Sequence, residues 1–496
     1  MHASLASLLV AALAGSAAAA PQQQDQEPEV YNADNLNTDT SPFAIEMPEL
    51  QSIKIAQHDE ERAAGTFDMD KYPEQAATKC KNGKAGPYSC KNIDLKGFLR
   101  HQDMGTKLLQ GNDVWGWTSE EGREFGIVGQ VNGTAFVEVM DNGSLRYMGR
   151  LDTQTTNSTW RDAKVIGDHA YIGSEAPGHG VQVFDLNKLL DIDPKKPKVF
   201  STKKDLASHI NFFGSSHNIV ANEKTDLIIA VGTSKKENAQ CAGGLWMIDV
   251  KNPKKPKDLG CFGEDGYSHD AECVIYKGPD KRYKGHEICF GYNEDTLTVV
   301  DITKRKSPKL LSRTTYIGAS YTHQGWLATD DMSFLLLDDE IDEIAKRGPA
   351  KDGKTATYIV NIKNLERPIF EGVYKSPVKA IDHNQYVIDG LAYQSNYASG
   401  LRVVDVSTIK EDPTGRHFEE VGFFDVHPED DKDGAIKFVG AWSVYPYFES
   451  GHILINSIER GVFSVKFDED WWHNDEYGLK HTQPLKALGK KASSAM

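Results

Sequence analysis

Four short phrases in this sequence set a histidine beside an amide or acid and open an apolar run. They are GSSHNIV (214–220), GYSHDAECV (266–274), YTHQGW (321–326) and AIDHNQYV (380–387). Imidazoles recurring at one place, with carboxylates to orient them, form a ligand set for a divalent metal ion, whose identity the sequence leaves open. A metal held there would activate water or polarise a substrate oxygen. His217, His269, His323 and His383 are therefore the candidate metal ligands. Arg161, Asp270 and Glu340 are the candidates for proton transfer or anion binding. Trp115, Trp117, Trp326, Trp442, Tyr267 and Tyr321 fall near the same level and suit stacking on a sugar or aromatic ligand. This reading makes the protein a metal-dependent enzyme acting on an extracellular small molecule or glycan. The same side chains also suit a structural task. Imidazole and Asn/Asp groups that hydrogen-bond the backbone of neighbouring elements act as struts, and the protein is then a non-catalytic binding or interaction module. Neither Gly-x-Ser-x-Gly nor His-Glu-x-x-His occurs in the chain, which disfavours a serine hydrolase or a zincin.

The elements that must position these residues are legible as a repeat. A run of alternating aliphatics ending on an acid, amide or lysine recurs as TAFVEV, VQVFDL, LWMIDV, LTVVDI, TYIVNI, LRVVDV and VFSVKF. The marker positions 138, 185, 249, 301, 361, 405 and 466 are separated by 47, 64, 52, 60, 44 and 61 residues. Alternation with β-branched and aromatic residues specifies strands. Repetition at this period specifies a propeller or solenoid, whereas a pair of β-sandwiches needs no recurring phrase. The fold expected is all-β: a seven-bladed β-propeller of four-stranded antiparallel blades. The last unit shows three strands, and NIDLKGFLR (92–100) is expected to close the ring from the N-terminal side. Aligning the first strands puts Trp115, Arg161–Asp162, His217–Asn218, His269–Asp270, His323–Gln324, His383–Asn384 and Ala441–Trp442 at one level of the channel. The second strands return to that face and bring a rim of acids, among them Glu175, Glu294, Asp338, Asp339, Glu340 and Glu459. The motif DDEIDE (338–343) looks like a calcium loop but lacks EF-hand spacing; it reads as a solvated acidic turn.

The flanks divide the chain further. Residues 1–20 have the apolar stretch and small-residue end of a signal peptide. Residues 21–75 form an acidic, Gln/Pro-rich leader expected to be disordered; residues 21–70 hold 12 acids and 2 bases out of a whole-chain net charge of −16. The propeller is expected over 76–467, with a C-terminal tail over 468–496. Six cysteines, an even number, fit a secreted chain with three local disulfides, Cys80/Cys90, Cys241/Cys261 and Cys273/Cys289. A zinc site is the rival reading, but no Cys-x-x-Cys pair occurs. Asn132, Asn142 and Asn157 begin glycosylation sequons. No basic stripe supports nucleic-acid binding, and no other apolar run reaches the ~20 residues of a membrane span. The expected location is extracellular.

The blade phrases as a set, including CAGGLWMIDV, YSHDAECVIYKGPD, GHEICFGYNEDTLTVVDI, YTHQGWL and GAWSVYPYFESGHILINSIERGVFSV, resemble the secreted choice-of-anchor B family, propellers with LVIVD-type repeats, and in particular its fungal-type members. The likeness covers about residues 75–467 and keeps the family order. It implies a β-propeller and an extracellular location, and it carries over no catalytic residue.

Overall fold

Alternating side chains along each repeat bury one strand face against the next sheet, and each unit folds as a four-stranded antiparallel meander. The computed structural model describes residues 30–234 and 239–472. The first strands of the seven units are Gly111–Thr118, Arg161–Ile166, Asn218–Asn222, Asp270–Ile275, Thr322–Leu327, Asn384–Ile388 and Ala441–Tyr445. They touch in cyclic order, the last against the first, and so line a central channel. The fold is the seven-bladed propeller that the repeat specifies.

Ring closure follows the expected route. Strand Ile93–Arg100 pairs antiparallel with Gly461–Phe467, Ile93 opposite Phe467 and Arg100 opposite Gly461, and completes the seventh blade. Its Phe98 packs on Phe463 with ring centroids 4.4 Å apart, and Tyr88 meets Phe463 edge-on at 5.2 Å. Burying such a side chain is worth about 1.5–3 kcal/mol. Just upstream, Tyr88–Lys91 adds a strand to the sixth blade through Cys90 and Lys91. The Cys80–Cys90 disulfide pins this segment, and the Cys241–Cys261 and Cys273–Cys289 bridges form as expected. Polar straps join the blades near the axis. Asp113 accepts from the Ala163 N–H (3.1 Å), Asp162 from Ile219 N–H (3.0 Å), and Gln324 from Gln385 N–H (3.1 Å).

The leader departs from expectation. From Tyr31 it packs with the propeller as part of one unit, and Met47–Ala63 is a 17-residue helix with Pro48 in its first turn. Its buried residues are Met47, Leu50, Lys54 and His58, three to four positions apart and so on one face. A lysine and a histidine break the apolar signature of that stripe, which is why the acidic composition suggested disorder. The expected signal peptide (1–20), residues 21–29 of the expected leader and residues 473–496 lie outside the described residues. Among the described residues no helix is long and apolar enough to cross a membrane.

Candidate functional site

The four histidines do converge. His217, His269, His323 and His383 stand side by side, with successive ring centroids 4.1, 4.1 and 4.4 Å apart. Each reaches the hub at or just before the start of its blade's first strand. Nδ1 of His269 bonds the His323 carbonyl (3.0 Å), Nδ1 of His323 the His383 carbonyl (2.9 Å), and Nδ1 of His383 the Trp442 carbonyl. A carbonyl only accepts, so Nδ1 carries the proton in these three rings and Nε2 presents its lone pair. His217 instead turns Nδ1 to Glu175, 2.5 Å away. The histidines are thus inter-blade struts through one nitrogen and potential ligands through the other. Nε2 of His323 lies 3.6 Å from Glu340 Oε2, and Nε2 of His383 lies 3.5 Å from Glu340 Oε1. His269 Nε2, His323 Nε2 and Glu340 Oε2 are buried and make no hydrogen bond. His323, Glu340 and His383 lie close enough to hold one ion, their ligand atoms being within 4.8 Å of one another. Burial holds His269, His323 and His383 well below the usual imidazole range, and brings His217 down to about 3.

A cation already reaches this cluster. Lys54, on the leader helix, sets its ammonium 2.5 Å from Glu340 Oε1 and is 1% exposed. The Tyr397, Phe438 and Trp442 rings surround it, centroids 5.7, 5.2 and 5.3 Å away, and Tyr397 also donates its hydroxyl to Glu340. Burial pushes Lys54 down and Glu340 up, towards their neutral forms, while their mutual attraction opposes both shifts. The rest of the helix is stitched across the same opening. Gln51 donates to Glu175, the Met47 N–H to Glu294, and His58 Nε2 lies 3.2 Å from the Phe438 carbonyl. The His end of the channel, which an enzyme there would need open, is therefore sealed. The space left among Trp160, Arg161, the four histidines and Trp442 is about 20 Å³, room for about one water.

The candidate catalytic residues separate. Glu340 joins His323 and His383. Arg161 borders the residual cavity, but its guanidinium is held by the Gln130 carbonyl (3.2 Å), Thr153 (2.8 Å) and His179 (2.9 Å), and burial lowers it to about 9. Asp270 faces the opposite end of the channel. Trp115 also belongs there. A bulge between Gly111 and Val114 shifts the first blade's register, and Asp113, not Trp115, is the counterpart of Asp162, as their matching straps show. Trp442, Tyr267 and Tyr321 stay on the His side within one apolar cluster. Trp326 opens on the other mouth, and Trp117 donates to Asp168.

That other mouth is the open one. It is a cavity of about 430 Å³. Trp115, Trp326, Tyr386 and Tyr447 make its aromatic wall, in contact with one another at centroid distances of 5.0–6.0 Å. On the floor Lys164 pairs with Asp162 (2.8 Å) beside Asp113 (3.8 Å) and lies over the Trp115 ring (4.7 Å). Asp270 and Glu272 alternate along one strand and both face the cavity. Glu272 accepts from the Leu327 N–H (2.7 Å). Burial raises Asp270 to about 7 and Glu272 to about 8. The acids lining the cavity are Glu223, Asp270, Glu272, Asp330 and Asp389, against Lys164 and Lys277. Lys54, Lys164 and Glu272 were not singled out from sequence. Lys164 could have been: it stands two places beyond Asp162 in WRDAKV, on the same strand face.

No family model and no curated protein matches this chain, so the choice-of-anchor B resemblance gains no support from a family model. Among solved structures the chain is similar to hydrazine synthase of Kuenenia stuttgartiensis, with 10% identity and a TM-score of 0.47 over 71% of this chain and 95% of that one. It is also similar to a functionally unknown protein from Desulfotomaculum acetoxidans DSM 771, with 11% identity and a TM-score of 0.41 over 60% of this chain and 83% of that one. With both TM-scores below 0.5 the likeness carries no argument here, and the fold rests on the strand pairing: the chain is a seven-bladed β-propeller with three disulfides, a His/Glu cluster behind a helix and an open funnel at the opposite mouth.

Proposed function

We propose that this is a secreted binding propeller that takes a small organic cation, an amine or quaternary ammonium, into the funnel between Trp115, Trp326, Tyr386 and Tyr447. The observation that carries the reading is an acidic cavity of about 430 Å³ with aromatic walls. Ring faces attract a cation by about 0.5–2 kcal/mol each, and Glu272 and Asp270 supply countercharge. A neutral glycan would use the same rings without needing that charge. Three disulfides and the choice-of-anchor B resemblance support secretion. Asn142 and Asn157 are exposed and suit glycosylation, whereas the side-chain oxygen of Asn132 is tied to Thr106 and Arg150.

Choline and its neutral isostere 3,3-dimethyl-1-butanol test this by tryptophan fluorescence and calorimetry. Choline is expected to bind at least about tenfold more tightly, the equivalent of ~1.4 kcal/mol, and Trp326→Ala is expected to abolish the preference. The carboxylates bind a cation only when ionised. Affinity should therefore be weak at pH 6 and climb as pH passes through the Asp270 and Glu272 values of about 7 and about 8. Equal binding of both probes, or binding of methyl glucoside with no pH dependence, would count against the cationic ligand.

A second reading, a metal-dependent enzyme, is favoured by the unpartnered Nε2 and carboxylate atoms at His269, His323 and Glu340. The donor set fits a divalent transition metal, which would supply Lewis-acid chemistry there; Lys54 stands against it while the helix is docked. Elemental analysis of untagged protein checks this. One zinc, copper or manganese per chain, lost in His323→Ala, would support it, and metal-free protein would leave the histidines as struts.

A further inference from the structure

Lys54 ends among groups that suit a different cation. Its ammonium and the Tyr397 hydroxyl both contact Oε1 of Glu340. Oε2 of the same carboxylate is buried with no hydrogen bond, and so are Nε2 of His323 and Nε2 of His269. Buried polar atoms are ordinarily satisfied, and each exception calls for an explanation. These exceptions fall at one place. Nε2 of His323 lies 3.6 Å from Oε2, and Nε2 of His383 lies 3.5 Å from Oε1. Ligands held about 2.0–2.2 Å from a tetrahedral ion stand about 3.3–3.6 Å from one another. The cluster thus has the spacing of a metal's ligand shell, with an ammonium at its edge.

The helix Met47–Ala63 delivers that ammonium. Of the four side chains it buries, only Met47 and Leu50 are apolar, with Ile53 half-buried beside them. Most of its other ties are single hydrogen bonds. Gln51 donates to Glu175, and Glu294 accepts from the Met47 N–H. Gln57 accepts from the Phe438 N–H (3.1 Å), and Glu61 accepts from Lys437 (3.1 Å). The chain that joins the helix to the propeller is exposed over 68–71 and 76–79. An ammonium and a divalent ion repel far more strongly at this dry carboxylate than in water, so docking of the helix and binding of a metal compete. We infer that the leader helix is a plug: Lys54 holds the place of a divalent transition-metal ion, and His323, His383 and Glu340 take up the ion only when the helix undocks. The inference rests on the metal reading of the cluster and adds its regulation. Two imidazoles and a carboxylate suit zinc rather than calcium, and His269 Nε2 is a further donor beside them. Undocking also opens the way in from solvent that the helix now closes.

The test uses the full chain, stripped with EDTA and titrated with zinc chloride, read by calorimetry and thermal unfolding. Wild type should bind zinc weakly. Leu50→Ala keeps Lys54 and every candidate ligand but loosens the helix. It should bind zinc at least about tenfold more tightly, because apparent affinity scales with the undocked fraction. Lys54→Met should take one zinc per chain more tightly still, and zinc should raise its Tm, as a ligand of the folded state does. Adding His323→Ala to Lys54→Met should abolish both effects. Coupling is reciprocal, so zinc should also turn Lys54, buried while the helix is docked, into a tryptic site in Leu50→Ala. Equal zinc affinity in wild type, Leu50→Ala and Lys54→Met would overturn the plug and leave the metal reading standing. No zinc in any of the three would overturn both. Zinc binding that survives His323→Ala would place the ion elsewhere and overturn the plug equally. If Lys54→Met fails to fold, Leu50→Ala against wild type decides the matter.

Discussion

Replacing Lys54 by Met should destabilise the protein by about 3–5 kcal/mol, the usual consequence of removing one partner from a buried ion pair. The loss comes from Glu340, which would remain fully buried beside Asp339 with only the Tyr397 hydroxyl to answer it. Urea unfolding of Lys54→Met, Glu340→Gln and the double variant measures this. The double variant should recover most of the loss, because Met and Gln can share the site without an orphaned charge. If Lys54→Met costs no more than an ordinary surface substitution, the helix is not anchored through this pair. The same series reports on the strut role: the Nδ1 bonds of His269, His323 and His383 do not involve Lys54, so the hub should stay intact while the helix loosens.

The second large effect is expected at the other end of the channel. Lys164→Met removes the one ammonium that balances Asp162 and Asp113, at 2.8 and 3.8 Å, with Asp270 close enough to act on all three. The expected cost is again about 3–5 kcal/mol, but here it should depend on pH. Burial raises Asp162 and Asp270, the latter to about 7. An acid whose folded pKa lies above its unfolded value binds its proton more tightly when folded, so it weakens the fold as pH rises between the two values. Without Lys164 to oppose that shift, the loss should be larger at pH 8 than at pH 5. A destabilisation independent of pH would mean that lost packing over Trp115, and not lost charge, dominates.

Much of this architecture is visible in the residues themselves, and the failures have particular causes. Alternating aliphatics at a recurring spacing gave away seven blades, and NIDLKGFLR had the pattern of the missing strand. The four histidines were legible as one level because each is attached to the same point of its blade. Which mouth was open was not legible, since that depends on a helix whose buried stripe contains Lys54 and His58. Trp115 was misplaced because a bulge inserts residues that periodicity cannot count. DDEIDE read as solvent-exposed because charged residues are rarely buried without partners; the structure buries all five of its acids. Glu272 went unnoticed because a carboxylate on an alternating strand looks like a solvated face until the channel encloses it.

The strand that closes the ring has a consequence for synthesis. His101, at its end, bonds the carbonyl of Ser457, 356 positions later. At about 5–20 residues per second the first-made segment waits roughly 20–70 s for its partner to leave the ribosome. During that interval the Cys80–Cys90 loop can form, being local, but strand Ile93–Arg100 lacks its partner strand Gly461–Phe467. The nascent chain must therefore carry an unpaired strand edge through most of its translation, and chaperone demand should fall only when the last blade emerges.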